Sequence, residues 1–150
     1  MQALRAELDA GHPVTGPYSS DAAVAADQIN AVNRSRLVPI SSSELLAWSG
    51  QASALDRPRN LKIAEGKANP VEAIAAICVV AESTINRDGT SLDLNLSDRA
   101  AMLEALVAGG VLSDADKSSL YDIATEAISR ATELGLGNIR PGTVEQARAL

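Results

Sequence analysis

A mainly α fold, a small helical bundle, is what this sequence predicts, and three observations predict it. Alanine occurs 27 times in 150 residues, phenylalanine is absent, and apolar residues recur at helical spacing between glycine and proline breaks. Alanine is the best helix former and loses no side-chain entropy in a helix. Such a core packs closely approaching helices through Ala, Leu, Ile and Val. Each buried Ala contributes less than a Leu, so stability per residue is expected to be modest, with a partner in assembly supplying the rest.

The first helix is expected over residues 2–10, stopped by Gly11 and Pro13. The stretch GHPVTGPYSS then reads as a loop. Ser20 is the expected N-cap of a second helix through about Asn33, with Ala22, Ala25, Ile29 and Val32 on one stripe. NRSRLVP breaks that pattern, and the residue before Pro39 should be extended. Ser41-x-x-Glu44 is a capping box for a helix carrying Leu45, Leu46 and Trp48. Leu61, Ile63 and Ala64 suggest another helix after Pro58, ended by Gly66.

Asn69 followed by Pro70 reads as an N-cap with proline at the first helical position. VEAIAAICVVAE is apolar on almost every face, which predicts a buried central helix. A buried strand over Ile77–Val80 competes with it. Asp88-Gly89 and the alternating Leu92, Leu94 and Leu96 predict a short β-hairpin around 84–96. Ser97 is expected to cap a helix striped by Met102, Leu103, Leu106 and Val107, ended by Gly109-Gly110. Ser113-x-x-Asp116 should cap the next, running to Leu134 along Leu120, Ile123, Ala127, Ile128 and Ala131. Two helices joined through a short glycine turn make a C-terminal αα-hairpin over about 98–134. Residues 1–134 thus read as one helical domain, and 135–150 as a linker plus short helix capped by Thr143-x-x-Gln146.

The length suits one domain with a real core. No run of about 18 uncharged apolar residues occurs, so no membrane span is expected. MQALRAELDA lacks the apolar centre of a signal peptide, so the chain is expected to stay where it is made. A single cysteine excludes an internal disulfide framework. The net charge is −6 but uneven: residues 34–67 hold six bases against three acids, and residues 68–150 six against twelve. The acidic balance argues against nucleic acid as the main partner. The middle cluster reads as a solvated face that could also meet a phosphate or an acidic neighbour.

Little in the chain points to catalysis. GLGNIR begins like a dinucleotide fingerprint, but it follows a helix and has Arg140 at the third glycine position, so Gly135 reads as a helix stop. INRDGTSLDLN places Thr84 and Asn95 where a calcium loop needs carboxylates. His12 is the only histidine and sits in a Pro/Gly loop, with no nucleophile motif around any serine. Cys78 lies in the most apolar segment and reads as an inert core residue. Asp114 and Asp116 suit the first turn of a helix. The chain is therefore expected to be no enzyme, and to need neither metal nor cofactor.

Phrases at the two ends of the chain carry a resemblance. The opening L-x-x-E-L, the phrase N-A-V-N-R-x-R, and the close S-R-A-x-E-L-G-L-G followed by A-R-A cover, with their surroundings, about a third of the chain. These ends resemble a family of small tailed-bacteriophage proteins encoded among virion structural genes. The resemblance implies a virion component, a multi-copy helical protein of the neck or tail region, and it carries no catalytic residues. It implies other virion proteins as partners, and a homo-oligomer in a ring or layer, with no membrane. The segment from Gly135 onward is then expected to be an assembly arm. Candidate contact residues are Arg34, Arg36, Arg57, Arg59, Lys62, Arg140, Val144, Arg148 and Leu150. The alternative is a soluble helical phage regulator or assembly chaperone that the virion does not retain. A small enzyme or nucleic-acid binder using the basic middle cluster is a third reading.

Overall fold

Side-chain caps at Asp21, Ser41, Ser113 and Ser129 start four of the helices. The computed structural model describes residues 1–55, 57–87 and 89–150. It is mainly helical, with 57% of residues in helices and one small two-stranded antiparallel sheet. Helix α1 spans Gln2–Ala10 and stops where Gly11 takes a φ of 80°, a conformation that costs glycine nothing. Helix α2 spans Ala22–Asn30, and strand β1 follows at Val32–Leu37. Helices α3 (Ser42–Gly50), α4 (Arg59–Gly66), α5 (Glu72–Ile85), α6 (Ser97–Ala108) and α7 (Asp114–Ala124) come next. Strand β2 (Thr125–Ser129), a single turn α8 (Arg130–Glu133) and helix α9 (Pro141–Arg148) complete the order.

Both capping boxes form. Ser41 accepts from the Glu44 N–H while Glu44 accepts from the Ser41 N–H, and Ser113 and Asp116 repeat the arrangement. Gly135 adopts a φ of 67°, as a helix stop requires.

The chain divides into two compact units, Met1–Arg36 with Ala127–Leu150, and Leu37–Glu126. The expected single domain over 1–134 is thereby corrected. β1 and β2 pair with each other, and the chain changes unit within each strand. In the first unit, α9 packs against α1 and α2. Its core joins Leu4, Ala25, Ala26 and Ile29 to Ile139, Val144 and Ala147. The terminal segment is therefore core and not a projecting arm. Its helix starts at Pro141 behind Arg140, so proline at the first helical position opens it and no Thr143 cap forms.

In the second unit, the core runs from Ile40, Leu45 and Trp48 through Ile63 and Cys78 to Leu103, Leu106 and Leu120. The α6–α7 pair keeps the expected hairpin but ends at Ala124. At Thr125 the backbone turns extended, φ −97° and ψ 119°, and the chain pairs with β1 instead of coiling on. Thr125 is β-branched and suits a pleated strand. Likewise α2 stops at Asn30, since VNRSRL forms β1, and its N-cap is Asp21, whose carboxylate accepts from Ala23 and Val24.

Other expectations shift by smaller amounts. Among the described residues of 84–96 no hairpin strands pair with each other: α5 runs through Ile85, and Leu92 bridges Ile40. Asp93 accepts from the Asn95 N–H, turning the chain so that Leu92 and Leu94 are buried and Leu96 is exposed. Asp88 lies outside the described residues. Asn69 accepts from the Val71 N–H, which delays the start of α5 to Glu72. Leu96 occupies the N-cap of α6 in place of Ser97. Most consequentially, α5 is not buried all round. Cys78, Ala81 and Ile85 face the core, while Val79 and Val80 are 53% and 47% exposed.

Candidate functional site

Each unit is held by its own network of charges. In the second, Arg59 projects from the start of α4 and Asp116 from the first turn of α7. The Arg59 Nε donates to Asp116 Oδ1 at 2.8 Å, and its Nη1 donates to the Trp48 carbonyl at 2.9 Å. The guanidinium also lies 4.9 Å from the centre of the Trp48 ring. Asp116 Oδ2 accepts from the Ser53 hydroxyl and from both the N–H and hydroxyl of Ser113. Burial opposes the charge of Asp116, but these hydrogen bonds outweigh it and hold its pKa down at about 2. The carboxylate accepts one bond on Oδ1 and three on Oδ2, all from this chain's own groups. This group is a structural anchor.

In the first unit the network is a chain. The Tyr18 hydroxyl donates to Glu7 at 2.8 Å, and Arg130 grips both oxygens of Glu7 at 2.9 and 2.8 Å. Arg130 also donates to Glu133 at 2.7 Å, and Arg34 grips the same carboxylate at 2.9 and 3.1 Å. The bond from Arg130 lowers the pKa of Glu7; those from Arg34 and Arg130 bring Glu133 to about 2. Burial and the bond to Glu7 push the Tyr18 phenol well above its ordinary value.

His12 sits beside this chain, its ring edge-on to Tyr18 at 5.9 Å. Its Nδ1 accepts from the N–H groups of Val14 and Thr15, at 3.1 and 3.2 Å, so the proton of the neutral ring is on Nε2. That buried Nε2 has no hydrogen-bond partner among the described residues. His12 fastens the Gly11–Gly16 loop and faces no nucleophile.

These partners are the letters of the terminal phrases. Glu7 is the acid of L-x-x-E-L, Arg34 the base of N-A-V-N-R, and Arg130 and Glu133 the charged pair of S-R-A-x-E-L. Asn30, the first letter of N-A-V-N-R, exchanges hydrogen bonds with the backbone of Ile139 at 2.7 and 2.9 Å. The phrases at the two ends of the chain thus pair with one another and build the first unit. Neither the Glu7–Arg130 nor the Arg59–Asp116 pairing is marked by local sequence, because the partners are 123 and 57 positions apart.

No protein-family model matches the chain, and neither a curated protein nor a solved structure matches it.

The candidate contact residues separate sharply. Val144 is fully buried, and Arg59 is only 7% exposed, so neither can meet a partner: one fills a core and the other pairs with Asp116. Arg34 is engaged by Glu133, Arg57 pairs with Glu65, and Arg148 donates to the carbonyls of Ser19 and Ser20. Arg36 is exposed on β1, and Arg140 and Leu150 are exposed near the end of the chain. Lys62, half-buried on α4, and Arg140 make no ion pair among the described residues. The six bases of residues 34–67 are divided between the units, Arg34 and Arg36 in the first and the rest in the second.

Among the described residues, no cluster of three His, Cys, Asp or Glu side chains could hold a metal, and no helix is long and apolar enough to cross a membrane. The core of the second unit leaves a small, partly open apolar space of about 30 Å³ lined by Leu45, Trp48, Leu103 and Leu106. Burial raises the pKa of Cys78, as expected of an inert core thiol.

Proposed function

We propose that this chain is a non-enzymatic structural component of a tailed bacteriophage particle, present in several copies in the neck or tail region. The observation that carries this reading is the set of terminal phrases, whose resemblance is to small proteins encoded among virion structural genes. Their charged letters interlock within one unit, which gives the phrases a physical reason as the signature of a fold. The conspicuous polar groups support the same reading. Asp116, Glu7 and Arg130 are each tied to several partners inside the protein, as structural anchors are.

Mass spectrometry of purified particles tests the proposal. The chain is expected in the particle at a fixed multiple of the tail components, and imaging of intact particles should locate it in a layer of the neck or tail. Expression in infected cells with absence from particles would overturn the virion role in favour of an assembly chaperone or regulator.

A further inference from the structure

Thirteen bases face nineteen acids in this chain, so a guanidinium without an acceptor is the exception. Among the described residues, the side chains of Arg87, Arg99 and Arg140 donate no hydrogen bond. Two of these three line one cavity in the second unit. It is open to solvent and about 380 Å³ in volume, and its walls come from α5, from the residues after it and from the first turn of α6. No acidic side chain lines it among the described residues. The carboxylate of Asp98 stands 3.7 Å from the Arg99 Nε, too far for a hydrogen bond.

The rest of the polar lining is hydroxyl. Thr84 donates to the Val80 carbonyl at 2.9 Å, and Thr90 to the Arg87 carbonyl at 2.8 Å. These bonds engage two carbonyl oxygens that would otherwise repel an anion. Ser83 and Ser91 donate to no acceptor among the described residues, which leaves both O–H groups for a ligand. Two cations and two hydroxyl donors suit a phosphoryl group, whose oxygens match the guanidinium fork and whose double charge balances both arginines. A single carboxylate would leave one arginine unmatched.

A second depression, of about 270 Å³, adjoins the first and shares Val80 and Arg99 with it. Its other walls are Ala76, Ile77 and Met102, with Asp98 at its side. We infer that the two depressions form one site for an organic phosphate, with the phosphoryl group between Arg87 and Arg99 and an apolar body along Val80, Ile77 and Met102. Asp98 sets the orientation, since its carboxylate repels a phosphoryl group from the apolar end. The chain's net charge of −6 gives an anion no long-range attraction, so affinity comes from the two guanidiniums at contact. The site lies wholly within the second unit and does not depend on the virion reading.

Amide NMR of the full chain at fixed ionic strength tests it, with inorganic phosphate, phenyl phosphate and acetate as probes. Inorganic phosphate should give saturable shifts around Ser83, Arg87, Ser91 and Arg99. Phenyl phosphate should bind about tenfold more tightly, because its ring is buried, and should also move Ala76 and Ile77. R87Q and R99Q should each weaken both phosphates by at least about tenfold, with Trp48 emission reporting that each variant is folded. R140Q, which removes an equally free arginine from the first unit, should change nothing. Shifts that do not saturate, acetate as effective as phosphate, or indifference to R87Q would each overturn the inference. So would phenyl phosphate binding no more tightly than phosphate, or R140Q weakening either one. None of these outcomes bears on the virion role, which particle mass spectrometry decides separately.

Discussion

Arg59 and Asp116, 57 residues apart in sequence, meet as an ion pair at 2.8 Å with side chains only 8% and 1% exposed. Each needs the other. Arg59→Ala would leave the carboxylate buried with its charged partner gone, and breaking a buried pair costs about 3–5 kcal/mol. Urea unfolding followed by Trp48 fluorescence reads the second unit directly, since Trp48 is the only tryptophan. Arg59→Lys should fall between wild type and Arg59→Ala, because lysine keeps the charge but loses the flat group over Trp48 and the geometry that reaches its carbonyl. Equal stability of all three proteins would show the pair to be dispensable.

Acid should loosen the second unit through Asp116. Its folded pKa, about 2, lies below the value of about 3.9 for a free aspartate. The stabilisation is therefore complete above the unfolded value and is lost as pH falls from about 4 toward the folded value. The Trp48 urea midpoint should decline across that window. In Asp116→Asn the midpoint should start lower but decline less steeply between the same pH values; parallel slopes would assign the acid sensitivity to other groups.

Removal of Pro141–Leu150 should cost far more helix than the eight residues of α9. Val144 and Ala147 are fully buried against α1 and α2, so their loss opens the core of the first unit. Circular dichroism should show α1 and α2 melting as well, while the Trp48 transition persists. Val144→Asp should do the same by burying an unpaired charge. A loss of signal limited to α9 would return that helix to the status of a separable arm.

Gly66→Ala should destabilise the second unit by about 1–3 kcal/mol through overpacking. A Cβ there would run into the sulfur of Cys78 and the side chain of Val111. Cys78→Ala should restore part of the loss when combined with it, since the sulfur is the nearest obstacle, and a double-mutant cycle reads that coupling. Strict additivity of the two changes would place the strain elsewhere.

What could be read in advance was local. Ser41/Glu44 and Ser113/Asp116 announce two helix starts because both partners of a capping box lie within four residues. β1 and β2 could not be read the same way. Ala124, Ala127, Ile128 and Ala131 fit a helical stripe as well as any segment in the chain, yet residues 125–129 form a strand because β1 offers a partner over ninety positions away. Composition misled at α5, where apolar residues all round suggested full burial. Val79 and Val80 are exposed because the core takes only the Cys78–Ala81–Ile85 side. For the candidate contacts, charge alone could not separate Arg59, locked to Asp116, from Lys62 three positions on.

The first unit is assembled from two stretches that lie on either side of the second, and this sets an order of events during synthesis. Residues 37–126 are contiguous, so their core can close as soon as they leave the ribosome. Leu4 and Ile29 must wait, with apolar surface uncovered, until Val144 and Ala147 have been made. For that interval the nascent chain is a finished unit trailing an unfinished one. The opening helices are then its most vulnerable part, open to proteases and to premature contact with other copies.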